Sequence, residues 1–284
     1  MEPVPTRDVH VRRVHFDYEW QRPPERFPHY VDGDLVMSHV IAVLSGMFPQ
    51  GEDFFVRSVR DARDQVTDPE LLTQIKGFIG QEITHGREHD VLNQQLADLG
   101  YRSMKVDRGV RKRLALVDRI FGLRRRIAIT AALEHYTATV AEVLLEDPEA
   151  QRLLGGSEVR SLLLWHALEE SEHKAVAFDA ARAIGVSETQ RIWVMRETTV
   201  TFLFLIVWNT VLSMLRDPAT YKLWVLIPSV LRLRKSPFLR RAVIHRLRSY
   251  NKRGFHPNDW DASALIDQWK LELFNEPSSL APGR

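Results

Sequence analysis

FIGQEITHGREHDVL, residues 78–92, and WHALEESEHKAVAF, residues 165–178, each place a Glu-x-x-His pair inside an otherwise apolar helical pattern: Glu82 with His85, and Glu170 with His173. Residues three apart on a helix share a face. One such pair is expected about once by chance in a chain of this composition, so a single copy carries little weight. Position carries more. Around the first copy, Leu71, Ile75, Phe78, Glu82, His85, His89, Leu92, Leu96 and Leu99 follow at steps of three and four. Around the second run Val159, Leu163, His166, Glu170, His173, Ala177, Ala180 and Ile184. Both are continuous core-facing seams, where an unpaired carboxylate is costly.

Two more segments extend the pattern. Residues 33–65 read as a helix interrupted at Phe48-Pro49-Gln50-Gly51, just before Glu52, and residues 108–146 carry Ile120, Arg124, Ile127, Ala131, Glu134, Ala138, Ala141 and Leu145 at helical spacing. Asp68-Pro69 and Gly100 bracket the second helix. Asp147-Pro148 closes the third, and Ser157 and Gly185 bracket the fourth. The expected fold is therefore all-α: a ferritin-like four-helix bundle over residues 32–186, preceded by an irregular, proline-rich arm (1–31) and followed by additional C-terminal helices (187–284).

In chain order the seams carry Glu52, Glu82 with His85, Glu134, and Glu170 with His173. That order matches the ligand grammar of ferritin-like dinuclear carboxylate sites. Two divalent ions a few Å apart repel, and about four carboxylates neutralise them while imidazoles end each coordination sphere. His166 stays on the ligand face and is a further candidate ligand. His89 is a candidate ligand, an outer donor or a core histidine. Glu88, His135, Glu169 and Glu172 lie roughly 100° or more around their helices, which predicts solvated or outer roles. With no cysteine among 284 residues, thiolate zinc, iron-sulfur clusters and cysteine nucleophiles are excluded. Oxygen and nitrogen donors then favour two irons, with manganese or zinc as alternatives.

The stretches FPQGEDFFVRSVR, FIGQEITHGREHDVLN, LEHYTATVAEVLL and WHALEESEHKAVAFD resemble the bacterial family catalogued as predicted metal-dependent hydrolases, a ferritin-like group, over about residues 10–270. The resemblance implies a dinuclear metal site at Glu52, Glu82, His85, Glu134, Glu170 and His173. His166-x-x-x-Glu170-x-x-His173 is also similar, over one helix, to the histidine-enriched site of the arylamine N-oxygenases.

Three functions compete. Oxygen activation at a di-iron centre, oxidising an apolar or aromatic small molecule, is the favoured expectation, because Phe54, Phe55, Phe78, Tyr136, Trp165 and Phe178 predict a dry site. Hydrolysis by water activated on a metal, with Glu169 as base, is the alternative that the family name implies. A metal-storing or metal-stabilised bundle without activity is the third. No GxGxxG or P-loop is present.

The overall charge of +2 hides an asymmetry: no acidic residue lies between Asp217 and Asp259, where ten Lys and Arg fall, leaving the remainder of the chain at −8. Thr198 to Leu215 carries no charge over 18 residues, the lower limit for a membrane span. The expected reading is a helix packed on the bundle or in a homodimer interface. Attachment to an anionic membrane surface through 222–253, with a lipid-like substrate, is the runner-up. Nucleic acid is not favoured, since no recognised motif supports it. The first thirty residues hold charges and prolines rather than a secretory signal. The expected compartment is the cytoplasm, with peripheral or single-span inner-membrane association as the alternatives.

Overall fold

A computed structural model describes residues 9–16, 18, 27–154 and 158–275. Among them every regular element is helical: α1 (Leu35–Arg63), α2 (Pro69–Asp98), α3 (Ser103–Ile120), α4 (Leu123–Glu146), α5 (Pro148–Leu153), α6 (Glu158–His173), α7 (Val176–Ala183), α8 (Glu188–Met214), α9 (Leu223–Arg234), α10 (Arg241–Ser249) and α11 (Ser263–Phe274). α1 packs on α2 and α4, α4 on α6 and α7, and α2 on α6 and α7. That four-helix core is compatible with a ferritin-like bundle. α8 lies on α1 and α4, α9 on α1, α10 on α4, and α11 on α6 and α4.

The helix starts follow from local chemistry. The Asp34 carboxylate accepts from the Met37 amide at 2.9 Å and opens α1, and Asp68 does the same for Glu70, with Pro69 in the first turn of α2. Gly100 (φ 103°) and Gly185 (φ 81°) take the left-handed backbone that ends α2 and α7. The Ser157 cap expected for the fourth helix lies outside the described residues.

Three expectations change. α1 is not interrupted at Phe48-Pro49-Gln50-Gly51 but runs through Pro49. Proline has no N–H to give the Ser45 carbonyl four residues earlier. The Asn93 side-chain amide on α2 donates to that carbonyl instead, at 2.8 Å. The third helix is two helices, because Phe121 is extended (φ −108°, ψ 137°) and Gly122 follows it in the extended region. Ile120 and Arg124 therefore face outward, and the seam begins at Ile127. The fourth helix is broken at Lys174 and Ala175, where the Lys174 ammonium turns inward to the Glu142 carboxylate and the Trp260 carbonyl. The apolar face nevertheless continues through Ala177, Ala180 and Ile184.

Along α2 the layers alternate. Ile75 and Phe78 join an apolar cluster with Ile127, Ala131, Ala177 and Phe178, and Leu92 and Leu96 join another with Leu162 and Trp165. Glu82, His85 and His89 form a polar layer between them. Each buried Leu or Phe contributes on the order of 1.5–3 kcal/mol, so these flanking layers hold the polar one in place. Asn93→Ala is expected to destabilise the fold by about 1–3 kcal/mol by stranding the Ser45 carbonyl. An unchanged urea midpoint would show that the carbonyl does not depend on Asn93.

Candidate metal centre

α1 supplies Glu52, α2 supplies Glu82 and His85, α4 supplies Glu134, and α6 supplies His166, Glu170 and His173; none of the seven is more than 4% exposed. Their donor atoms fall into two groups, Glu52 with His85 and His166, and Glu82 with Glu170 and His173, each group within 4.8 Å. Glu170 joins the groups, its Oε1 lying 2.9 Å from His166 Nε2 and 3.7 Å from both His85 Nδ1 and His173 Nε2. Glu134 Oε2 approaches His173 Nε2 at 3.4 Å, and Glu82 Oε1 approaches it at 3.2 Å. Glycine at position 86 makes room, since a Cβ there would sit 3.3 Å from Glu52 Oε2.

Buried polar atoms are ordinarily partnered. Here both oxygens of Glu52, Glu82 and Glu134, together with Glu170 Oε2, His85 Nδ1 and His173 Nε2, have no hydrogen-bond partner. They belong to the six residues expected as ligands. A cluster of acceptors without donors, mixed with imidazole nitrogens, suits two divalent cations and fits no apolar or anionic occupant.

The electrostatics agree. Burial, followed by repulsion from Glu82, pushes the Glu52 carboxyl well above the usual carboxylate range. Burial also raises Glu82, and burial with the neighbouring Glu170 and Glu82 pushes Glu134 up to about 8. For Glu170 burial is outweighed by the nearby imidazoles of His166 and His173, which hold it well below. Burial would lower His85 and His173, but the neighbouring carboxylates, led by Glu169 for His85 and Glu134 for His173, raise both well above the ordinary imidazole value.

Around the ligands lies a second set of contacts that the sequence did not reveal. His85 Nε2 meets Glu169 Oε2 at 3.1 Å, and His173 Nδ1 meets Gln81 Oε1 at 2.8 Å. Gln81 donates to Glu172 at 2.9 Å. Arg12 donates to both Glu169 and Glu172, at 3.1 and 2.7 Å, and Lys270 pairs with Glu172 at 3.0 Å. One network, His85–Glu169–Arg12–Glu172–Gln81–His173, therefore orients both imidazoles, as ligating histidines require. Arg12 comes from the N-terminal arm, which presses on α2 where Gly77 and Gly80 leave no side chain: a Cβ would lie 2.2 Å from the Val9 carbonyl or 2.3 Å from Val11.

The other candidates lie around these groups. His89 is one layer out, its Nε2 on His166 Nδ1 at 2.8 Å and its Nδ1 on Ser45 Oγ at 2.9 Å. Glu169 has one oxygen on Arg12 and the other on His85, so the geometry gives it a positioning role rather than that of a free base. Glu172 and Glu88 are buried, not solvated; Glu88 accepts from the Phe16 amide of the arm. His135 lies away from the ligands, its ring on Tyr250 and Phe255 and its Nε2 on the Arg246 carbonyl.

A cavity of about 260 Å³ opens between α1, α3, α4 and α8 and reaches Glu52. Its wall is apolar, with Phe48, Phe55, Leu133, Phe202 and Leu205 prominent, and its charged residues are Glu52, Arg113, Arg125 and Glu197. Arg113 and Glu197 are exposed and Arg125 is half-buried and paired with Glu197, so charge sits at the solvent end and at the ligand end only.

A family model described as a predicted metal-dependent hydrolase matches residues 10–261. No curated protein and no solved structure matches the chain.

Two predictions arise here. Ions entering the site displace protons from Glu52, Glu82, Glu134, His85 and His173, so affinity should rise with pH and loading at pH 7 should release protons. Calorimetry in buffers of different ionisation enthalpy reads this, and zero release would contradict the charge assignment. Arg12→Ala should weaken metal binding about 10–100-fold by loosening both histidines, measured by competition with a chelator; unchanged affinity would make the arm irrelevant to the site.

Proposed function

This chain belongs to the family of predicted metal-dependent hydrolases, and from that premise we propose that it is an enzyme holding two divalent metal ions. Glu52, His85 and His166 would hold one, and Glu82, Glu170 and His173, with Glu134 beside them, the other. The observation that carries this reading is the cluster of partnerless, inward-facing atoms on six buried ligand residues. The donor set suits iron, manganese or zinc, and we take iron as the physiological metal. Bound ions would supply Lewis acidity and lower the pKa of water.

The chain's own residues do the rest. Glu169 and Gln81 fix the tautomers of His85 and His173 by engaging their outer nitrogens. Arg12 aligns Glu169 and Glu172, and with its help Glu172 is held below the usual carboxylate range, against the opposing pull of burial. The cavity beside Glu52 admits an apolar small molecule and excludes bulk water, which strengthens every electrostatic contact inside.

Hydrolysis is the first reading of the reaction, because it is what family membership supports. A second reading, oxidation with dioxygen, is favoured by one specific feature. The cavity's exposed charged groups lie at its solvent end, so the part of a substrate that reaches Glu52 is its apolar part, and oxidation requires no polar scissile bond there.

The deciding experiment loads metal-free protein with zinc, manganese or, anaerobically, ferrous iron, then assays apolar esters, amides and phosphoesters alongside oxygen uptake. Metal-dependent ester or amide turnover supports hydrolysis. Rapid oxygen uptake by the ferrous form without hydrolysis moves the assignment to oxidation, and neither activity in protein carrying two ions per chain, across the panel, would contradict the enzyme reading. Leu133→Trp, which fills the cavity, should cut kcat/KM at least tenfold with both metals retained. Undiminished turnover would place substrate elsewhere.

A further inference from the structure

α8 is the one helix among the described residues long and apolar enough to cross a membrane, yet only 22% of its apolar window is buried. Its inner face is tied to the bundle by polar contacts: Ser213 Oγ to His39 Nδ1 at 2.8 Å, and Thr199 Oγ1 to the Tyr136 hydroxyl at 2.9 Å. These contacts commit one face of α8 to the bundle and leave the opposite face free. Its outer face carries Val200, Phe204, Val207, Trp208 and Val211, from 46% to 71% exposed. After a single 3-10 turn, α9 exposes Leu223, Trp224, Ile227, Val230 and Leu231, with Trp224 at 76%. Both helices flank α1. Soluble monomers rarely leave so many large apolar side chains bare on neighbouring elements.

The charges at the helix ends identify the occupant. Arg216 closes α8, Lys222 opens α9, and Arg234 and Lys235 end it; all four are exposed. Arg216 also crowds Lys105 on α3, together with Arg102 and Arg108, and depresses its pKa. No acidic residue lies between Asp217 and Asp259, and Asp217 itself is taken by His29 and His39. Of the ten cations in that stretch, Arg232, Arg240 and Arg246 pair within the chain with Asp34, with Asp147 and Glu149, and with Glu142, whereas Lys222, Arg234 and Lys235 are exposed at the ends of α9, with Arg216 exposed just ahead of the stretch.

We infer that the outer faces of α8 and α9, with Arg216, Lys222, Arg234 and Lys235 at their ends, seat the protein in the plane of an anionic lipid bilayer. Apolar side chains enter the acyl boundary while cations meet phosphate headgroups, the arrangement of an interfacial helix. Self-association through the same face would set like charges against one another, which is why a bilayer rather than a second copy is assigned. α8 also walls the cavity through Thr198, Thr201, Phe202 and Leu205, so the docked face lies one helix away from the path to Glu52. The inference goes beyond the metal chemistry and does not depend on it.

Vesicle flotation of the full chain tests it, with phosphatidylcholine vesicles with and without phosphatidylglycerol, at low and high salt. The protein should float with the anionic vesicles, lose most of that binding at high salt, and remain in solution with phosphatidylcholine alone. Phe204→Ser/Trp208→Ser/Trp224→Ser should reduce partitioning at least tenfold, and Lys222→Glu/Lys235→Glu about fivefold or more; all five positions are exposed, and unchanged circular dichroism and metal content verify the fold. Wild-type protein that does not float with either vesicle overturns the inference. So does a triple-serine variant that floats as well as wild type. Sedimentation showing a wild-type dimer that the serine variant makes monomeric, without vesicle binding, would assign the face to a second copy.

Discussion

Four carboxylates and three imidazoles in one dry layer are the constraint on which the rest of this structure depends. An ionised carboxylate buried without a partner is costly enough that it ordinarily takes up a proton, and four of them within one bundle also repel one another. The upward shifts at Glu52, Glu82 and Glu134, and those at His85 and His173, express that conflict. Divalent cations resolve it in a way that no packing rearrangement could. The apolar layers on either side, from Phe78 to Phe178 and from Leu92 to Trp165, provide the burial that keeps the polar layer from opening.

The outer contacts turn a collection of ligands into a fixed geometry. Arg12 is the centre of that arrangement, because it is shared by Glu169 behind His85 and by Glu172, which reaches His173 through Gln81. Its position depends on an arm whose described residues 9–16 carry no regular structure, seated where glycines at 77 and 80 let backbone meet helix. Lys270 brings α11 to the same carboxylate. An N-terminal segment and a C-terminal helix are thereby coupled to one site, giving the peripheral elements a role beyond enlarging the core.

The clustering of these residues was legible in the sequence because helical periodicity is local: Glu82 with His85 and Glu170 with His173 fall on core-facing seams, and Asp68-Pro69, Gly100 and Gly185 mark their helices. What was not legible depended on partners distant along the chain. Pro49 fails to break α1 because Asn93 replaces the missing donor. Phe121 and Gly122 split a segment whose apolar pattern looked unbroken, since the helical spacing resumes at Ile127 after two extended residues. Glu169 and Glu172 were expected in outer or solvated roles on angular grounds, and they are buried because the arm and α11 cover that side of α6. Arg12 gave no signal at all, lying in a segment without periodicity.

The most direct test of the account is anomalous X-ray scattering from crystals of metal-loaded protein, collected on both sides of the metal absorption edge. Two peaks are predicted in the layer between α1, α2, α4 and α6, one against Glu52, His85 and His166 and the other against Glu82, Glu170 and His173, with Glu134 beside them. A single peak, or peaks only at the protein surface, would contradict the dinuclear site and with it the explanation of why these carboxylates are buried together.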